Sequence, residues 1–281
     1  MKKIGFVDFY ISEWHANNYP MWIKEAAEKL GVEYQVSYAW AEEEISPLDG
    51  VSTGEWCEKM GVEHCQSLSE LCEKSDVIVI LAPTNPEKHL EYAKAVLPYG
   101  KRTYIDKTFA PNLEIAKEIF AIGEKHGTPF FSSSALRYSD ELAELKDAKN
   151  IVLNGGGSNL EEYVIHLVEM AVSLLKSPAR RVKVDCFGKQ RICNVITENG
   201  AKAAMVYSPA ITYSVIAENS EGDVVHKAVK SAFFVNLIAD ILRFFENGTV
   251  SFDVQETLEV MRLRDGILKA DKAEGEWIEL N

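Results

Sequence analysis

The stretch DFYISEWH, Asp8 to His15, gathers two carboxylates, a phenol and an imidazole close together. Asp8, Glu13 and His15 are donor types that suit a divalent cation. The same acids, set before a helix, more commonly serve as caps and dipole partners for its first turn. Without a cation they oppose an anion. A carboxylate about 4 Å from a phosphate charge costs about 4 kcal/mol at an effective dielectric of about 20, and a helix terminus returns only about 0.3 to 1 kcal/mol. Tyr10, Trp14, Tyr19 and Trp22 read as packing groups, although Trp14 and the more distant Trp40 are able to stack on a sugar ring. The cysteines carry less chemistry. Cys57, Cys65, Cys72, Cys186 and Cys193 are odd in number and form no CxxC pair, and His64 beside Cys65 lacks a second closely spaced ligand pair. They read as free thiols of a reducing compartment, and no metal site is assigned.

These residues need elements to position them. Lys2 to Gly31 begins as a buried strand, Ile4 to Val7, and ends as an amphipathic helix, Tyr19 to Leu30, the pair that opens a nucleotide-binding βαβ unit. Its turn departs from that pattern. A dinucleotide turn uses glycines so that backbone N–H groups can close on a pyrophosphate, and this chain has Asp8, Tyr10 and Glu13 instead. Further strands are expected at Tyr34 to Tyr38, Val77 to Leu81, Thr103 to Ile105 and Pro129 to Ser132. Between them fall helices near Thr53 to Met60, Leu68 to Lys74, Pro86 to Leu97 and Leu113 to His126. Gly31, Gly61, Gly100 and Gly127 stand where left-handed helix stops favour glycine. The alternation specifies an α/β, Rossmann-like doubly wound parallel sheet over residues 1–134.

After Ser134 the pattern changes to one helix, about Leu160 to Lys176, and a β-rich run: Arg181 to Phe187, Arg191 to Thr197, Ala203 to Tyr207, Thr212 to Ala217 and Asp223 to Val229. Asn199-Gly200 is a hairpin signal. Helices at Ala232 to Glu246 and Val254 to Lys272 and a strand at Trp277 to Leu280 complete a second, α+β domain over 135–281 with an open antiparallel sheet. In AKAAMVYSPA, Ala203, Ala204, Met205, Val206 and Tyr207 follow without polar alternation, so apolar groups point to both faces of the sheet. An uncovered apolar face of this kind marks an interface and implies a homodimer or a dimer-based tetramer.

The chain's 281 residues carry a net charge of -13, which disfavours nucleic acid and anionic membrane surfaces. No apolar run reaches spanning length and no leader pattern is evident, so a cytoplasmic protein is expected.

The run SDVIVILAPTNPEKHLEYAKAVLPYGKRTYIDKTFAPNLEIAKEIFAIGEKHGTPFF resembles the second half of the nucleotide-binding domain of the glucose-fructose oxidoreductase, inositol dehydrogenase and MocA (Gfo/Idh/MocA) family. The resemblance covers Ala82-Pro83 after a strand, His89 opening a helix, Gly100-Lys101, and Asp106-Lys107-Thr108 where the family usually reads Glu-Lys-Pro. ALRYSDELAELKD, EEYVIHLVEMAVSLL with its acid-x-x-x-His, and DVQETLEVMRLRDGILKADKAEGEWIEL extend it over nearly the whole chain. His15 matches the histidine that often follows the family's glycine-rich loop.

The resemblance implies an oxidoreductase moving hydride between NAD or NADP and a secondary alcohol of a sugar, polyol or related small molecule. It gives Lys107 the task of steadying a developing alkoxide and His166 that of exchanging the hydroxyl proton, with Glu162 one turn before it. It also puts Asp8, Tyr10, Glu13, Trp40, Pro83, Thr84, Asn85, Asp106 and Lys107 along the cofactor. Three of these stretches differ from the family pattern: the first turn, Trp40 near the position of a ribose-binding acid, and a longer APTNPEKH loop. The alternative is a non-catalytic ligand-binding or regulatory relative that has lost the dinucleotide.

Overall fold

The computed structural model describes residues 1–145 and 147–280. The chain divides into two compact units, Met1–Ser133 with Phe234–Val254, and Ser134–Phe233 with the segment from Gln255. The return of 234–254 to the first unit differs from the single cut near Ser134 that the sequence suggested.

In the first unit the strands are β1 (Lys2–Asp8), β2 (Tyr34–Ala41), β3 (Glu63–His64), β4 (Val77–Ile80), β5 (Thr103–Ile105) and β6 (Phe130–Phe131). They form one parallel sheet in the order β3-β2-β1-β4-β5-β6, so the strand order reverses between β1 and β4. That reversal is where an open α/β sheet leaves a crevice at its C-terminal edge. The intervening helices are α1 (Trp14–Leu30), α2 (Thr53–Met60), α3 (Leu68–Lys74), α4 (His89–Val96) and α5 (Leu113–His126). Ile4, Phe6, Val7, Ile78 and Ile80 are fully buried, as strands covered on both faces require. Gly5 is dictated by packing, because a Cβ there would meet Ser75 Oγ at 2.3 Å and Leu71 Cδ2 at 2.7 Å.

The second unit adds α6 (Asp140–Ala143), β7 (Asn150–Gly155), α7 (Leu160–Leu175), β8 (Ala179–Phe187), β9 (Gln190–Thr197), β10 (Lys202–Tyr207), β11 (Ser214–Glu218) and β12 (Val224–Ala228). After these come α8 (Phe233–Asn247), α9 (Glu256–Lys272) and β13 (Ile278–Glu279). The sheet order is β12-β11-β7-β10-β9-β8-β13, and β7 runs parallel to β10 while the other neighbours are antiparallel. The sheet is therefore mixed, because β7, a strand the sequence reading passed over, inserts at its centre. Helices α7 and α9 pack on it. The Ala232 to Glu246 pattern, expected as a helix of the second domain, becomes α8 and from Phe234 belongs to the first unit, where Phe244 meets Phe131 with ring centroids 5.0 Å apart.

Candidate active site

Helix α1 begins with Glu13 as its cap. The Glu13 carboxylate accepts from the backbone N–H of His15 at 2.7 Å and from that of Ala16, so the protein satisfies two of the helix's leading donors itself. Just before it, Asp8 is 1% exposed at the end of β1. Its Oδ1 accepts from Phe9 N at 2.7 Å and Ala82 N at 3.0 Å, and among the described residues its buried Oδ2 has no hydrogen-bond partner. Burial, reinforced by Glu13 nearby, pushes the Asp8 carboxyl well above the usual range. Burial also raises Glu13, against the opposing pull of His15 and of the two N–H bonds.

Asp106, at the end of β5, receives His15 Nδ1, Tyr19 OH at 3.2 Å and Tyr104 OH at 3.3 Å. Burial alone would raise its pKa, but His15 and Lys107 beside it hold it below the ordinary carboxylate value. Asp106 is thus fixed by protein groups. Lys107 follows it, 9% exposed, with Nζ donating to Pro83 O at 3.4 Å. Among the described residues it makes no salt bridge. An ammonium has three donors, and one long bond leaves this buried cation poorly satisfied. His89 lies fully buried between the carbonyls of Leu81 at 2.6 Å and Phe109 at 3.0 Å, tying the β4 loop to the segment after β5.

The remaining expected cofactor residues are engaged by protein groups. Tyr10 OH and Thr84 Oγ1 are 3.2 Å apart, Asn85 Nδ2 donates to Glu87 at 3.0 Å, and Trp40 meets the Tyr92 ring edge-on with centroids 6.0 Å apart. Glu42, one of the acids beyond Trp40, is taken by Lys88 and by Tyr92 OH at 2.8 Å. Trp14 is 52% exposed and packs against Trp22 and Phe234. Among the described residues no three His, Cys, Asp or Glu side chains are arranged to hold a metal ion. The thiols are free, and burial pushes those of Cys57 and Cys72 up to about 12.

In the second unit, His166 Nδ1 lies 2.7 Å from Ser134 Oγ, with its ring edge-on to Tyr163 and Tyr213. Glu162 belongs to the helix cap: its N–H donates to Asn159 Oδ1 at 2.9 Å and its carboxylate accepts from Asn159 Nδ2 at 3.1 Å. The glycine run Gly155–Gly157 is a packing device, since a Cβ on Gly156 would meet Ser208 O at 2.1 Å. The sequence reading also missed Arg137, buried between Glu169 at 2.5 Å and Glu256 at 2.6 Å, which joins the turn at Ala135–Tyr138 to α7 and α9. An isolated basic residue in ALRYSDELAELKD carries no signal of that role.

Residues 43–133 match the model of the oxidoreductase family with an NAD-binding Rossmann fold. Over that stretch, about a third of its length, the chain is similar to the Gfo/Idh/MocA family. A stretch of 72 residues, 25% of the chain, is 35% identical to the uncharacterized oxidoreductase YhhX of Escherichia coli K12, and it spans 21% of that protein's length. The fold matches a myo-inositol dehydrogenase of Corynebacterium glutamicum with TM-score 0.78 at 14% identity, covering 100% of this chain and 99% of that one. It also matches GenD2 from gentamicin A biosynthesis, solved in complex with NAD, with TM-score 0.79 at 11% identity, covering 100% and 97%.

The start of α1 is the place a pyrophosphate occupies in a dinucleotide-binding Rossmann fold. There Glu13 already holds the His15 and Ala16 N–H groups, and the lone Asp8 oxygen adjoins. As they stand, these residues do not fit a pyrophosphate.

Proposed function

We propose that the protein is an oxidoreductase acting on the secondary alcohol of a sugar, polyol or related small molecule. The observation that carries this is Lys107, a nearly buried ammonium just past the end of a parallel strand with one long bond and, among the described residues, no salt bridge. Its positive charge stabilises an oxygen that gains negative charge, an effect that grows where water is excluded. His166, steadied through Nδ1 by Ser134, is of the residue type that exchanges a hydroxyl proton near neutral pH. Glu162 acts through the start of α7 rather than on a proton. The family model that residues 43–133 match is described as NAD-binding, which makes NAD or NADP the expected hydride partner, while the Glu13-capped first turn of α1 departs from that use. Free cysteines and the absence, among the described residues, of any helix long and apolar enough to cross a membrane support a cytoplasmic setting.

The sheet face opposite α7 and α9 carries Val152, Ile192, Ile196, Ala204, Val206 and Ile216, all half-buried, which supports pairing of two copies through this face. A second reading, a binding protein that holds a small polar ligand without a dinucleotide, is favoured by the occupied turn at Glu13. Turnover separates the two. Wild-type protein given NAD or NADP and a panel of polyols and sugars should generate reduced nicotinamide with at least one of them. Saturable polyol binding with no nicotinamide reduction throughout the panel would favour the second reading.

A further inference from the structure

We infer that Tyr163 is a substrate-binding residue: its half-buried ring and unbonded hydroxyl, set beside His166, hold a polyhydroxylated ring and favour ring-closed over open-chain substrates. The inference rests on the oxidoreductase reading, in which His166 exchanges the hydroxyl proton, and adds what stands next to that hydroxyl. Tyr163 and His166 share a face of α7, with ring centroids 5.8 Å apart and an angle of 61° between the rings. Tyr213 meets the same imidazole edge-on, also at 5.8 Å.

The loop that leads from β7 into α7 holds these rings in place. A Cβ on Gly157 would meet the Tyr163 ring at 2.1 Å, and one on Gly155 would meet the Tyr213 ring at 2.2 Å, so each ring lies directly against glycine backbone. The loop itself is tied down. Tyr213 OH donates to Gly156 O at 3.1 Å, Tyr207 OH to Gly157 O at 2.7 Å, and Ser208 N to Gly155 O at 3.1 Å.

The tyrosines around this loop differ in the use of their hydroxyls. Tyr207 and Tyr213 commit theirs to the loop carbonyls. Tyr163 has its ring seated on Gly157, yet among the described residues its hydroxyl has no hydrogen-bond partner. Phenylalanine would pack on Gly157 in the same way, so packing does not account for the oxygen. A fixed aromatic ring stacks on the C–H face of a closed sugar ring, and a hydroxyl at its edge exchanges hydrogen bonds with the ligand's own hydroxyls. An open-chain polyol presents no preformed face of that kind and must give up the freedom of several rotors to lie on one.

The test is calorimetric titration of the whole chain with methyl glucopyranoside and methyl galactopyranoside, which cannot open, and with sorbitol and galactitol, their open-chain counterparts. Wild type, Tyr163→Phe, Tyr163→Ala and Gly157→Ala are compared. Wild type should bind at least one glycoside at least about tenfold more tightly than its counterpart. Tyr163→Phe, which keeps the packing and loses one neutral hydrogen bond, should weaken that glycoside by about twofold to tenfold. Tyr163→Ala loses the ring as well and should bind glycoside and open-chain polyol alike; Gly157→Ala should do the same, because its Cβ takes the seat of the ring. A wild type that binds the four probes equally or not at all, or wild-type glycoside affinity in both Tyr163→Phe and Tyr163→Ala, overturns the assignment. Nicotinamide reduction by wild type with the sugar and polyol panel, measured alongside, decides the oxidoreductase reading separately. Its absence overturns that reading even where the Tyr163 variants lose binding, and its presence leaves the reading standing where they do not.

Discussion

Replacing Arg137 with methionine should destabilise the second unit by about 3 to 5 kcal/mol, the usual cost of leaving a buried charge without its partner. The Arg137 side chain is 6% exposed, and it donates from Nε to Glu169 and from Nη1 to Glu256; the Glu169 side chain is 4% exposed. Methionine fills similar volume, so the loss is mainly electrostatic. At about 2 to 4 °C per kcal/mol for a chain of this size, Tm should fall by about 6 to 20 °C. The pH dependence adds a second constraint. Burial raises the Glu169 carboxyl even with Arg137 opposing it, and removing the guanidinium raises it further. An acid whose folded pKa lies above its unfolded value weakens the fold at high pH, and that penalty disappears below the unfolded value of about 4.3. The Arg137→Met deficit should therefore be largest near neutral pH and shrink on acidification. Scanning calorimetry across that range measures it, and Arg137→Met with Glu169→Leu should recover most of the loss. A Tm unchanged by Arg137→Met, or a deficit that does not move with pH, would refute the reasoning.

Two further outcomes follow from side-chain placement. His166→Ala should lower turnover by at least about 100-fold, and Ser134→Ala by less, with a displaced pH optimum because the imidazole loses the group at its Nδ1; an unchanged pH profile in Ser134→Ala would separate Ser134 from the histidine's function. On the open sheet face, Val206→Glu or Ile216→Glu should convert a dimer to a monomer by light scattering, whereas Met205→Glu, buried on the opposite face, should cost stability instead. A wild-type monomer at micromolar concentration would sink the interface.

Local signals made most of the first unit legible. Thr53–Met60 and Leu113–His126 lie where glycine stops and periodicity put them, and Leu68–Lys74 where periodicity did, because each is a short-range pattern of caps and apolar spacing. β3 escaped notice because two residues have no period, and β7 because its pairing with β10 is a long-range choice that sequence alternation does not encode. The destination of α8 was hidden for a related reason. An apolar helix face is visible in sequence, but the surface that receives it is not. Within the candidate site, Asp8 and Glu13 stood out by type and position, and Asp106 and Lys107 through the resemblance to the Gfo/Idh/MocA family. The capping of α1 by Glu13 could be anticipated from its place before a helix, but the orphaned Asp8 oxygen and the His15–Asp106 bond depend on contacts across strands.

Lys107→Met provides the most direct test of the central claim. On the best substrate of the panel, kcat should fall by at least about 100-fold while cofactor affinity and Tm change little, because the lost ammonium acts on the developing alkoxide rather than on the fold. Wild-type turnover in Lys107→Met would contradict the claim.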